Sequence, residues 1–100
     1  MSKVDYKNKK WERKRNYILK RDSYLCQECL RYGTTKEGTE VHHVNPAEKR
    51  NDLFYTDWNL ITLCKSCHGK MHDRITKKLT ATGIALLKRI EKKYQVNKKN

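Results

Sequence analysis

The apolar positions of the chain fall into two helical ends around a centre that alternates and breaks. Between Lys10 and Arg21, Trp11 precedes Ile18 and Leu19 at helical spacing, and basic residues fill most other positions, so a short amphipathic helix is predicted. "RDSYLCQECLRYG" opens on an Asp-Ser turn and stops at Gly33; with a second cysteine pair downstream, it reads as a metal knuckle rather than part of a helix. "TEVHHVNP" predicts a short strand closed by Pro46, because a proline and the residue before it leave regular pairing. "AEKRNDLFYTD" reads as a polar loop with a small apolar insert, and "WNLITLC", apolar and β-branched, as a second strand. "KSCHGKMHDRITKKL" predicts a helix from near Ser66. "TATGIALLKRIEKKYQV" puts Ile84, Leu87, Ile90 and Tyr94 on one face of a final helix whose opposite face is basic. The order is helix, knuckle, strand, loop, strand, helix, helix, with no internal repeat. That is an α+β domain with frayed ends: a flexible basic segment over 1–9 and a disordered tail over 97–100.

Composition sharpens this picture at one point. Of 100 residues, 36% are apolar and 35% charged, so the core is small and a staple of disulfide or metal is expected. No apolar run approaches the ~20 residues of a membrane span. The charged N-terminus lacks the apolar stretch of a secretory signal, which predicts a cytoplasmic protein. In that reducing compartment, paired cysteines bind metal more often than they oxidise.

The net charge of +13 is unevenly placed. Residues 1–21 carry nine Lys/Arg against Asp5 and Glu12, and residues 74–100 carry nine against Glu91. Residues 22–73 carry six basic and eight acidic side chains, together with every cysteine and histidine. Two basic arms therefore flank a nearly neutral, ligand-rich centre. Such arms predict a polyanion, nucleic acid, presented to the centre.

Cys26-x2-Cys29 and Cys64-x2-Cys67 are matched pairs, each able to give two thiolates to one tetrahedral zinc. Four sulfurs close such a site, so this zinc is expected to be structural and coupled to folding. The 34 residues between the pairs exceed zinc-ribbon spacing and imply a folded insertion. Two other readings compete. Cys64-x2-Cys67-His68 matches haem c attachment, which requires export, and a redox CxxC accounts for one pair and not for two.

With the sulfurs assigned, His42, His43, His68 and His72 remain, all within 31 residues. His68 and His72 are four apart and share a face if the segment is helical. The strand bearing His42 and His43 could complete a second ion site. One geometric obstacle stands: neighbours on a regular strand point to opposite faces.

These residues resemble the HNH nucleases, the ββα-metal or His-Me finger fold, in the branch with a four-cysteine zinc. The three letters fall on His43, Asn59 and His68, and "WNLITLCKSCHGKMH" carries the pattern. "WERKRNYILKRDSYLCQECL" is similar to small HNH proteins encoded by tailed bacteriophages near their packaging genes. The resemblance implies an HNH nuclease domain over 10–79, followed by a basic amphipathic helix over 80–96. It implies a DNA endonuclease with His43 as general base and Asn59 orienting its ring by accepting its other N–H. It further implies one divalent ion (Mg, Mn, Ni, Co or Zn) on His42 and His68, with His72 as an optional third ligand. Arg13, Arg15, Lys70 and Arg74 are the expected phosphate contacts. A terminase or other packaging protein is the implied partner, in the host cytoplasm. The alternative is a non-catalytic, zinc-stapled module that only binds nucleic acid.

Overall fold

The computed structural model describes residues 8–94. Of the flexible 1–9 segment expected from the sequence, residues 1–7 lie outside the described residues, as does the whole 97–100 tail, while Asn8 and Lys9 belong to the start of the first helix. Helix α1 spans Lys9–Arg21, starting one residue before the apolar pattern suggests. The Asn8 side chain caps it, accepting the Trp11 N–H at 2.7 Å, and Lys20 and Arg21 sit favourably at the negative end of the helix dipole. Ser23 and Tyr24 then take φ of 57° and 58°, which ends the helix in a tight reversal.

Strands β1 (Glu40–His43) and β2 (Leu60–Leu63) form a two-stranded antiparallel sheet in which His42 faces Ile61 and His43 faces Leu60. All four residues of β2 are buried because both faces of the sheet are covered. Leu60 joins Trp11, Ile18, Ala47 and Phe54 on the α1 side. Thr62 faces the same way, its hydroxyl donating to the Ile18 carbonyl at 3.5 Å. Ile61 and Leu63 pack on the other side with Val44, Met71, Leu86 and the cysteines Cys26 and Cys64.

The rest of the described chain departs from the sequence pattern in four places. The first cysteine pair is not a free knuckle, since Cys26 caps and Cys29 belongs to a short helix α2, Gln27–Arg31. The polar loop after β1 folds into two 3-10 turns, Asn51–Leu53 and Asp57–Asn59, so Trp58 and Asn59 precede β2 rather than belonging to it. Helix α3 is only Lys65–Gly69. It stops because Asp73 diverts the chain: its carboxylate accepts the N–H groups of Ile75 and Thr76, an Asx-type turn that competes with helix. Helix α4, Ala81–Tyr94, is rotated from the expected face. Gly83 and Leu86 are its buried residues, with Leu87 and Ile90 packed alongside, while Ile84 and Tyr94 are exposed. The rotation follows from Gly83, whose missing side chain lets the helix lie on the Met71 carbonyl: a Cβ there would be 2.5 Å from that oxygen.

Candidate metal centres and active site

The two cysteine pairs adopt the same local structure. Cys26 and Cys64 each cap a five-residue helix, and each sulfur accepts the N–H three residues on, from Cys29 and Cys67, at 3.4 Å. The sulfur of Cys29 lies 3.9 Å from that of Cys64 and 3.8 Å from that of Cys67. A tetrahedral zinc with ~2.3 Å legs needs sulfurs about 3.8 Å apart, so the spacing suits that ion. The thiols also constrain one another. Burial pushes Cys64 up, but the Cys67 N–H and the other three thiols outweigh it and bring it down to about 7. Cys67 is pushed up by burial and by hydrogen bonds with its neighbours, and Cys29 by its bond to Cys26 and by burial. Four thiolates at this separation require a cation among them.

The second cluster is built from three separate pieces of chain. His42 comes from β1 and His68 from α3. His72 comes from an isolated bridge to Leu79, not from a helical turn above His68 as expected. Their ligand nitrogens still converge, all within 4.8 Å of one another. His68 Nδ1 lies 3.3 Å from a Glu40 carboxylate oxygen, and His72 Nδ1 lies 3.2 Å from the Lys77 carbonyl. Both partners are acceptors, so Nδ1 carries the proton and Nε2 keeps its lone pair for an ion. His42 is 1% exposed, and its Nε2 is a buried nitrogen with no hydrogen-bond partner. A buried polar atom left in this state is costly without a ligand. Burial first, then the neighbouring His68, His72 and His43, lowers His42 to about 3, which keeps the ring neutral and able to ligate. The donor set therefore fits a divalent metal.

His43 points the other way along the same strand, which resolves the geometric obstacle. Its ring stacks on Trp11 (centroids 5.2 Å apart, planes at 20°) and on Phe54 (4.6 Å, 28°). His43 Nε2 lies 3.1 Å from the Phe54 carbonyl. A carbonyl can only accept, so Nε2 bears the proton and Nδ1 is the basic nitrogen. Burial lowers His43 to about 4, with the Phe54 carbonyl opposing and His68 adding to the fall. The outer edge of β1 is open, so both rings line one cleft of about 780 Å³, shared with His68, His72, Arg15 and Lys77.

Asn59 is placed differently from expectation. It is fully buried. Its Oδ1 accepts the Asn45 backbone N–H (2.8 Å) and Nδ2 (3.0 Å), and its own Nδ2 donates to the carbonyls of Asn45 and Leu53, both at 3.3 Å. Phe54, not Asn59, supplies the carbonyl that orients His43. Asn59 instead ties the residues after β1 to Leu53, one position before that carbonyl. Phe54 was missed because its role is played by backbone; only its place as the apolar insert of a polar loop marked it.

Of the expected phosphate contacts, Arg15 lines the cleft and donates to the Thr39 carbonyl at 2.8 Å. Arg13 is exposed on α1 and is not among the cleft residues. Lys70 and Arg74 line a neighbouring groove. Lys77, passed over in the sequence, is at the cleft itself.

A two-stranded sheet and short helix holding an imidazole ion pocket, with a fourth histidine poised beside it and a thiolate cluster behind, define a nuclease of the ββα-metal class. Residues 26–74 match the model of the HNH endonuclease family. The chain is 35% identical over 72 residues, 65% of its own length and 71% of the relative's, to a probable HNH endonuclease of Lactococcus phage SK1. Among solved structures it resembles the HNH endonuclease of the deep-sea thermophilic bacteriophage GVE2, crystallised with a manganese ion. That match has a TM-score of 0.64 and 27% identity, covering 92% of this chain and 82% of that one. The chain belongs to the HNH endonuclease family, and is a nuclease.

Proposed function

We propose that the protein is a metal-dependent DNA endonuclease that nicks one strand, with His43 as its general base. The observation that carries this reading is the His43–Phe54 contact at 3.1 Å, which puts the proton on Nε2 and makes Nδ1 the basic nitrogen of a ring lining the cleft. Water attacks the phosphorus as its proton passes to His43 Nδ1. The bond to the 3′-oxygen breaks, and that oxygen is protonated from solvent. Stacking between Trp11 and Phe54 holds the ring in place through the proton transfer. His42 and His68, joined by His72, hold the divalent ion, which when bound supplies Lewis acidity toward the phosphate and the leaving oxygen. Three neutral nitrogens suit Mn, Co, Ni or Zn better than Mg. Cys26, Cys29, Cys64 and Cys67 hold a structural zinc. Arg15 and Lys77 meet backbone phosphates at the cleft, with Arg13 further along α1. Both relatives are phage proteins, which supports a role in a phage; a place in DNA packaging or processing, beside a terminase in the host cytoplasm, is proposed from the likeness of the α1 segment to small phage HNH proteins.

The non-catalytic alternative leaves His43 and the orphaned Nε2 of His42 without a use. The test is supercoiled plasmid incubated with divalent metal and either wild type or His43→Ala. Wild type should give nicked circles in a reaction that chelator stops. His43→Ala should be slower by about 100-fold or more, the ordinary worth of a general base. Equal rates would reject His43 as the base.

A further inference from the structure

Helix α3 gives way to a loop that leaves one large apolar side chain almost wholly in water. Ile75 is 88% exposed, between Arg74 and the Thr76-Lys77-Lys78 run. A single exposed apolar residue is ordinary by itself. Three further features single this one out. The loop is rigidly closed: the Asp73 N–H donates to the Lys78 carbonyl at 2.8 Å, and the Asp73 carboxylate takes the Ile75 and Thr76 N–H groups at 3.0 and 2.7 Å. It is also surrounded by positive charge. And it is joined to the ion pocket, because the Lys77 carbonyl is the partner of His72 Nδ1 at 3.2 Å. A second groove of about 840 Å³, lined by Lys70, Arg74 and Ile75, meets the reaction cleft at His72, which lines both.

We propose that the loop Asp73–Lys78 is a DNA-positioning wedge: Ile75 inserts against a base step of the duplex while Arg74 and Lys70 hold the flanking phosphates. A strand crossing the cleft leaves it over His72 and passes into the second groove. An apolar tip framed by basic residues is the arrangement that partly unstacks a base step and kinks the duplex away from the groove it enters. The preformed turn keeps the ordering cost of binding low. Ile75 thus contributes to binding, holding the strand where it passes His72, and does not act on the chemical step. This inference rests on duplex DNA being the substrate.

The test compares wild type with Ile75→Ser and Ile75→Leu on a duplex carrying 2-aminopurine. Binding and fluorescence are measured in a His43→Ala background, so that no cleavage intrudes; kcat and KM are measured with His43 intact. Unstacking by Ile75 should raise the fluorescence on binding. Ile75→Ser should lose that rise and increase KM about tenfold with kcat retained. Ile75→Leu should restore both. A serine variant with unchanged KM and an unchanged fluorescence rise overturns the wedge, as does a fluorescence rise absent in wild type. Failure of wild type to cleave any DNA would instead strike the nuclease reading, and the two failures are read in separate experiments.

Discussion

The site turns on which atom of each imidazole carries a proton, and the backbone sets this. For His43 the acceptor is a carbonyl, and burial lowers the ring from an ordinary 6.5 to about 4. Two consequences follow from that shift. The acid limb of kcat/KM should lie below pH 6.5, because the base stays neutral until the pH nears its own value. Folding of the protein with zinc on its thiolates and no ion on its imidazoles should weaken over the same window. Below 6.5 the ring in the unfolded chain takes up a proton and the buried ring does not, so stability present above 6.5 drains away as pH falls toward 4. His42, lowered to about 3, acts in the same direction. Urea midpoints measured from pH 7 to pH 4 should fall steadily, and a flat profile would show that neither ring is buried neutral. Asn59 makes a second residue-scale prediction. Asn59→Ala takes away the acceptor of the Asn45 amide groups and the donor to the Asn45 carbonyl in the interior, at about 2–4 kcal/mol of stability by urea denaturation, and removes one of the two donors to the Leu53 carbonyl, which keeps the Thr56 N–H. Since Leu53 precedes the carbonyl that holds His43, kcat should fall while KM stays close to wild type. The residues of this triad were legible as letters. Their division of labour was not, because the partner of His43 is a main-chain oxygen and no side-chain pattern encodes one.

At the scale of elements, legibility followed periodicity. Helix α1 and both strands lie where their apolar positions put them, and the fully buried β2 follows from its unbroken apolar and β-branched run. The segment after Cys67 misled because histidines four apart imitate a helical face. Asp73 ends any helix there, and His72 reaches the ion pocket from a β-bridge with Leu79 instead. The face of α4 was misjudged for a related reason. Apolar spacing ranked Ile84 above Gly83, yet contact distance decides burial, and the glycine allows the closest approach. A direct prediction tests that account. Gly83→Ala should destabilise the fold by about 1–3 kcal/mol, despite alanine's better helix propensity, because its Cβ would meet the Met71 carbonyl at 2.5 Å. Ala85→Gly, on the exposed face of the same helix, should cost about 1 kcal/mol by propensity alone. A Gly83→Ala protein as stable as wild type would mean that α4 is free to shift, and with it the Met71 segment that precedes His72.

Across the whole molecule, the two proposed ion sites should separate under chelation. The cysteine cluster links chain segments more than thirty residues apart and forms part of the core itself, since Cys26 and Cys64 pack with Val44, Ile61, Leu63, Met71 and Leu86. With only 36% apolar residues to drive collapse, that core should depend on the proposed zinc cross-link. The imidazole site instead opens onto the cleft and joins side chains already placed by β1, α3 and the 72–79 bridge. A mild chelator should therefore remove the imidazole-bound ion first, abolishing plasmid nicking while circular dichroism is unchanged, and added manganese should restore the activity. A stronger chelator should then take the zinc from the thiolates and unfold the domain cooperatively. Cys64→Ser should reproduce the second stage without chelator, because one missing thiolate opens the tetrahedron even though the serine hydroxyl can still accept the Cys67 N–H and cap α3. His42→Ala should reproduce only the first, losing activity at nearly full helix content. Loss of fold and of activity at one chelator concentration, with no folded inactive state between them, would show that the two pockets are a single linked site.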